Sequence, residues 1–89
     1  MYLREIVEEH RVLDDITHYR ERYPGFDDFY QAMTGKLSEN PRIGDPLSYA
    51  PDFRLYTTVS TNDAPAFNIL YTFDENKVYL HSIQPVQPE

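Results

Sequence analysis

From Glu8 to Tyr23 the apolar positions recur at helical spacing. Val12, Ile16, Tyr19 and Tyr23 fall on one stripe, with Leu13 on its edge. Glu8 and Glu9 sit near the start of this segment, where the helix dipole favours acids. Pro24-Gly25 ends it. A second helix follows, with Asp27 as its expected N-cap and Asp28 in its first turn. Phe26, Phe29, Tyr30, Met33 and Leu37 share its apolar face, and Gly35 lies on the opposite one. Asn40-Pro41 stops it, because the residue before a proline is pushed out of the helical region. So short a connection predicts an antiparallel helical hairpin.

The period then changes from 3.6 to 2. Pro41 to Pro51 has three prolines, one glycine and no periodicity, and reads as a loop. Phe53 to Ser60 alternates Phe53/Leu55/Thr57/Val59 against Arg54/Tyr56/Thr58. Ala66 to Phe73 alternates Phe67/Ile69/Tyr71/Phe73 against Asn68/Leu70/Thr72, and Lys77 to Ile83 is the last strand. Turn clusters at 61–65 and 74–76 separate them, so an antiparallel meander is expected. Tyr2 to Val7 alternates as a short strand, or else extends the first helix backward.

The expected fold is α+β: an N-terminal short strand, an antiparallel helical hairpin, then a three-stranded antiparallel meander packed on the helices. Residues 1–84 form one domain, and 85–89, with two more prolines nearby, form a flexible tail. The face with Phe67, Ile69, Tyr71 and Phe73 should meet the helices. The opposite face, with Arg54, Tyr56, Asn68 and Leu70, is then open for function. A one-residue slip in the last strand decides whether Tyr79/His81 or Val78/Leu80 joins it.

Charge narrows the function. The chain has 89 residues and a net charge of -7, with 6 Lys/Arg against 10 Asp/Glu in residues 1–45 and 2 against 5 in 46–89. Nucleic-acid binding draws on Lys/Arg neutralising phosphates. The second half offers only Arg54 and Lys77. A basic protein surface is the better-matched partner, and direct nucleic-acid binding is not expected. Eight Tyr and five Phe supply core and interface area. With no Cys, disulfides and thiolate zinc sites are excluded. No apolar run exceeds three residues, so neither a signal peptide nor a membrane span is expected, and the cytoplasm is the expected location.

Candidate chemistry is sparse. His10, Asp14 and His18 share a helix face at i, i+4 and i+8, a spacing that a charged, solvated face explains without a metal. There is no glycine-rich phosphate loop, and no cofactor is implied. The pairs Asp14/Asp15, Asp27/Asp28 and Asp74/Glu75 fit a helix face, a helix start and a turn.

The helix-end segment YRERYPGFDDF (residues 19–29), the exit ENPRIGDPL (39–47) and the run Ile69-Leu70-Tyr71-x-Phe73-Asp74 resemble the RelE/ParE toxin superfamily in order and spacing over Leu3 to Ile83. The hairpin and its exit look more like the ParE branch, associated with DNA gyrase inhibition. The resemblance implies a bacterial type II toxin–antitoxin (plasmid stabilization) protein with a cognate antitoxin and a protein target such as gyrase. Arg54 matches an arginine the family keeps early in the meander. The second arginine position is Asn68, and the usual histidine position is Gln84, with His81 nearby. RNA cleavage needs a base, an acid and a cation. Arg54 and His81 are the candidates, but the set is incomplete, so no confident catalytic residue is assigned and protein binding through Arg54, Tyr56, Asn68, Leu70, Tyr79 and His81 is the leading expectation. Two alternatives stand: an inactive or repurposed acidic relative, a phage-borne inhibitor or adaptor that mimics DNA, and a ribosome-dependent mRNA endoribonuclease using Arg54 and His81.

Overall fold

The computed structural model describes residues 3–61 and 64–86. It is a two-layer α+β fold in which two helices cover one face of a five-stranded mixed sheet. The elements run β1 (Glu5–Glu8), α1 (His10–Arg22), α2 (Phe26–Glu39), a 3-10 turn (Pro41–Ile43), β2 (Asp45–Leu47), β3 (Ala50–Thr57), β4 (Phe67–Phe73) and β5 (Lys77–Pro85). The strand order is β1-β5-β4-β3-β2.

The expected meander is the centre of this sheet: β3, β4 and β5 pair antiparallel. Three strands are not the whole of it. β1 adds to one edge, parallel to β5, with Ile6 opposite Val78 and Glu8 opposite Leu80. The supposed loop after α2 supplies the other edge. Its Asp45 and Pro46 pair with Leu55 and Arg54. A proline is tolerated there because an edge strand leaves one side of its backbone unpaired. The expected tail also shortens. Pro85 still belongs to β5 and Val86 donates its N–H to the Ala66 carbonyl, while 87–89 lie outside the described residues.

The helical stripes pack as their spacing predicts. Val12, Ile16 and Tyr19 of α1 and Phe26, Met33 and Leu37 of α2 are buried against Phe67, Ile69, Tyr71, Val78, Leu80 and Ile83. Gly25, rather than Asp27, is the N-cap of α2, which places Asp27 and Asp28 together in its first turn. Asp27 instead pairs with Arg20 of α1 at 2.6 Å. Phe67 is the aromatic hub. Its ring lies 5.2 Å from Tyr19, 6.0 Å from Tyr23, 5.6 Å from Phe26 and 4.9 Å from Phe29. Such pairs contribute beyond their buried area, and this one side chain ties both helices to β4.

Polar groups pin the layers. Tyr19 donates to the Ile83 carbonyl at 3.1 Å. The approach to β1 is held to the end of α2 by a reciprocal pair: Arg4 N–H to the Ser38 carbonyl at 3.1 Å, and Ser38 Oγ to the Arg4 carbonyl at 2.5 Å. Tyr30 of α2 donates to the Glu8 carboxylate. Burial, followed by that bond to Glu8, pushes the Tyr30 phenol far above its usual range.

Candidate functional site

Cross-strand partners in a sheet share a face, and that decides which expected residues meet. Asn68, Leu70 and Thr72 alternate away from the buried Phe67, Ile69 and Tyr71, on the open face. Thr57 pairs with Asn68 and Leu55 with Leu70, so they join it. Thr57 Oγ1 donates to Asn68 Oδ1 at 2.6 Å across the strands.

Arg54 and Tyr56 do not. Arg54 is opposite the buried Tyr71, and Tyr56 is opposite the buried Ile69. Both therefore point to the helix side, and the expectation that they line the open face is corrected. Either parity of β3 carries apolar groups, so alternation within that strand could not choose. Its pairing with β4 does. Tyr56 packs on the margin of the core.

On β5 a bulge resets the pattern. Tyr71 is opposite Leu80 but Leu70 is opposite Ser82, which leaves His81 as the extra residue. His81 thereby keeps to the open face after the buried Leu80, and Ile83 still returns to the core. Tyr79, opposite Thr72, lies on the open face as well. Both His81 ring nitrogens are engaged: Nδ1 with Glu9 at 2.7 Å and Nε2 with the Thr72 hydroxyl at 2.8 Å. The ring packs 5.1 Å from Phe53. Tyr79 donates to Asp74 at 3.0 Å. Asp74 also accepts the N–H groups of Asn76 and Lys77, and these backbone bonds hold its carboxyl below its ordinary 3.8.

The structure thus separates the two catalytic candidates. Arg54 and His81 stand on opposite faces of the sheet. Four of the six expected contact residues, Asn68, Leu70, Tyr79 and His81, share the open face. A shallow apolar groove there, about 290 Å³, runs between Leu47, Tyr49, Leu55, Asn68, Leu70, Ser82 and Gln84. Tyr49, 85% exposed, presents an uncovered ring beside this groove. A DNA-mimicking surface would need Asp14, Asp15, Asp27, Asp28 and Asp74 on one face; Asp27 is ion-paired and Asp74 is used by its own turn, which leaves Asp14, Asp15 and Asp28 on the helix surfaces.

On the helix side, Tyr71 organises the exit from α2. Its hydroxyl donates to the Pro41 carbonyl at 2.5 Å and accepts the Gly44 N–H at 2.9 Å. Arg54 Nη1 donates to the Gly44 carbonyl at 2.7 Å and to the Arg42 carbonyl at 3.2 Å. The segment that read as an unstructured loop is therefore held by β3 and β4 side chains.

Arg54 is not a solitary cation. The guanidinium carbons of Arg4, Arg42 and Arg54 lie 5.8, 5.5 and 5.8 Å from the centroid of the Phe73 ring. The charge balance of each half of the chain does not reveal this, because Arg4 and Arg42 come from the first half and Arg54 from the second. No spacing rule relates positions 4, 42, 54 and 73. Among the described residues, no group of three His, Asp or Glu side chains is close enough to share a metal ion, and no helix is long and apolar enough to cross a membrane.

The fold and its two surfaces define the class: a two-layer α+β protein with an open sheet face on one side and an arginine-lined cleft at one end. No protein-family profile matches the chain, and neither does any curated protein or solved structure.

Proposed function

We infer that this chain is a toxin-like protein of the RelE/ParE type that acts by binding a protein, with no RNA cleavage of its own. The observation that carries this reading is the separation of Arg54 from His81 by the thickness of the sheet. Electrostatic stabilisation of the reacting phosphate is usually the largest catalytic contribution, and it requires the cation and the proton donor at one point. His81 is further committed to Glu9 and Thr72. The binding surface is the open face, with Asn68, Leu70, Tyr79 and His81 around the groove beside Tyr49. A cognate antitoxin would lay an amphipathic segment across it, its apolar side chains meeting Leu55 and Leu70. The cellular target is a protein, with gyrase the first to assay.

Two assays test this. The purified protein is titrated into gyrase-catalysed supercoiling and into ribosome-programmed mRNA cleavage. The expected result is inhibition of supercoiling at protein concentrations comparable to gyrase, with intact mRNA. Cleavage of mRNA at sub-stoichiometric protein would reject the reading.

A further inference from the structure

We propose that the arginine cleft at the splayed ends of β3 and β4 is a binding site for a phosphate-class oxyanion. The β3–β4 ladder starts at Arg54 opposite Tyr71, and the preceding β3 residues Pro51, Asp52 and Phe53 have no β4 partner. The gap is a cleft of about 540 Å³, lined by Arg42, Asp52, Phe53, Arg54, Thr72 and Phe73. Arg42 comes from the 3-10 turn, Arg54 from β3 and the ring from β4, so three separate segments converge on one point.

The guanidiniums are held in a manner that keeps their charge. Arg42 and Arg54 stack toward Phe73, and Arg54 spends Nη1 on two backbone carbonyls. Carbonyls and an aromatic ring orient a cation without neutralising it. Among the described residues, no carboxylate lies within 4.0 Å of Arg42 or Arg54, and Asp52 lines the same cleft without reaching either. The side chain of Arg42 and the Nε and Nη2 groups of Arg54 make no hydrogen bond to a described residue. The chain has 15 acids against 8 Lys/Arg, so carboxylate partners are plentiful, yet these like charges gather instead. Arg54 is half-buried and Arg42 exposed, and bringing their like charges to one ring costs Coulomb energy that a bound anion returns.

The chemistry favours a tetrahedral oxyanion over a planar one. One guanidinium fork satisfies a carboxylate. Two forks from different segments suit the several oxygens of a phosphate, and the Thr72 side of the cleft and the Phe53 and Phe73 rings leave room for a small organic ester. The two arginines lie away from the open face, which the cleft borders only through Thr72 and Phe53, and the proposal does not depend on which protein binds that face.

Backbone amide NMR titration of the full chain at constant ionic strength tests the proposal, with inorganic phosphate, phenyl phosphate and acetate as separate arms. Expected are saturable shifts centred on Arg42, Arg54, Thr72 and Phe73, with a Kd near or below ~1 mM for phosphate or its ester and no saturation by acetate. Tighter binding of phenyl phosphate marks an organic monoester as the ligand, and equal affinity marks free phosphate. Arg42→Gln, which removes a side chain with no hydrogen bond to lose, should weaken binding ~10-fold while leaving the spectrum elsewhere unchanged. Arg54→Gln should do the same, and if it disturbs the turn at Gly44 then Arg42→Gln alone decides. Linear, non-saturating shifts, equal binding of acetate, or an affinity indifferent to Arg42→Gln would overturn the proposal.

Discussion

Tyr71 accepts the backbone N–H of Gly44 at 2.9 Å, and a Cβ placed on Gly44 would sit 2.7 Å from that same hydroxyl and 2.9 Å from the Leu55 carbonyl. Gly44 is required here by close approach, since its φ of -80° is open to any residue. Tyr71 is itself fully buried, so the contact lies where α2, the 3-10 turn and the sheet meet.

That contact predicts two losses. Tyr71→Phe leaves the Gly44 N–H buried without its acceptor and should cost about 2–3 kcal/mol. Gly44→Ala forces a methyl group against backbone and should cost ~1–3 kcal/mol. Chemical denaturation of each variant checks both. A double variant losing much less than the sum would confirm that the two changes break one contact.

Phe67→Ala should be more damaging, at ~3–5 kcal/mol, since it empties the space between both helices and β4. By contrast Gly35→Ala should stabilise by up to ~1 kcal/mol. Nothing lies within 4 Å of the added methyl on this exposed helix face, and alanine is the better helix former. Thermal unfolding followed by far-ultraviolet circular dichroism reads both.

Alkali should unfold the protein earlier than its charge alone suggests. Burial raises the phenols of Tyr19, Tyr30 and Tyr71 above 10.0. In the unfolded chain they ionise near 10.0, while the folded chain still holds their protons. Their contribution is therefore intact below pH 10.0 and declines as pH rises beyond it. The melting temperature should be flat in this respect up to that point and fall above it. Tyr19→Phe should lessen the fall, and an unchanged slope would count against the assignment.

Asp74 acts at the other end of the scale. Its carboxyl is held below 3.8 by the N–H groups of Asn76 and Lys77, with a smaller contribution from Tyr79. The stabilisation is present above pH 3.8 and is lost as pH falls below it. Asp74→Asn should be less stable than the parent at neutral pH, with the difference shrinking in acid. A constant difference across that range would mean that the carboxylate charge is irrelevant to the β4–β5 turn.

The open face can be tested without touching the core. Leu70→Arg places a charge in the middle of the groove and should change stability by about 1 kcal/mol or less. Binding of a protein partner there should fall at least ~10-fold, since an unpaired charge would be desolvated at the interface. Pull-down or calorimetry with the protein that the proposed function assigns to this face, an antitoxin or gyrase, provides the measurement. Arg42→Gln, on the other side of the sheet, should leave that binding intact.

Much of the frame was legible before any coordinates. Val12, Ile16 and Tyr19, and Phe26, Met33 and Leu37, declare their helices because burial on one side imposes a period of 3.6. Phe67, Ile69 and Tyr71 declare their buried face by strict alternation. What failed were places where local pattern is ambiguous. Both parities of β3 hold apolar groups, so alternation does not show that Arg54 and Tyr56 face the helices. β2 was hidden in a proline-rich run, since a short edge strand leaves little periodic signal. The bulge at His81 adds one residue that alternation alone does not reveal.

The site was less legible than the frame. Asn68, Leu70, Tyr79 and His81 do share a face, yet Arg54 belongs to a different surface together with Arg4 and Arg42. Local composition and periodicity by themselves determined the helices, the core face of β4 and the acidic balance, because each depends on neighbours a few residues apart. Only the tertiary structure decided which way β3 faces and that residues 4, 42 and 54 surround Phe73. Those outcomes depend on strand pairing and chain reversal between distant segments, and no short-range regularity encodes them.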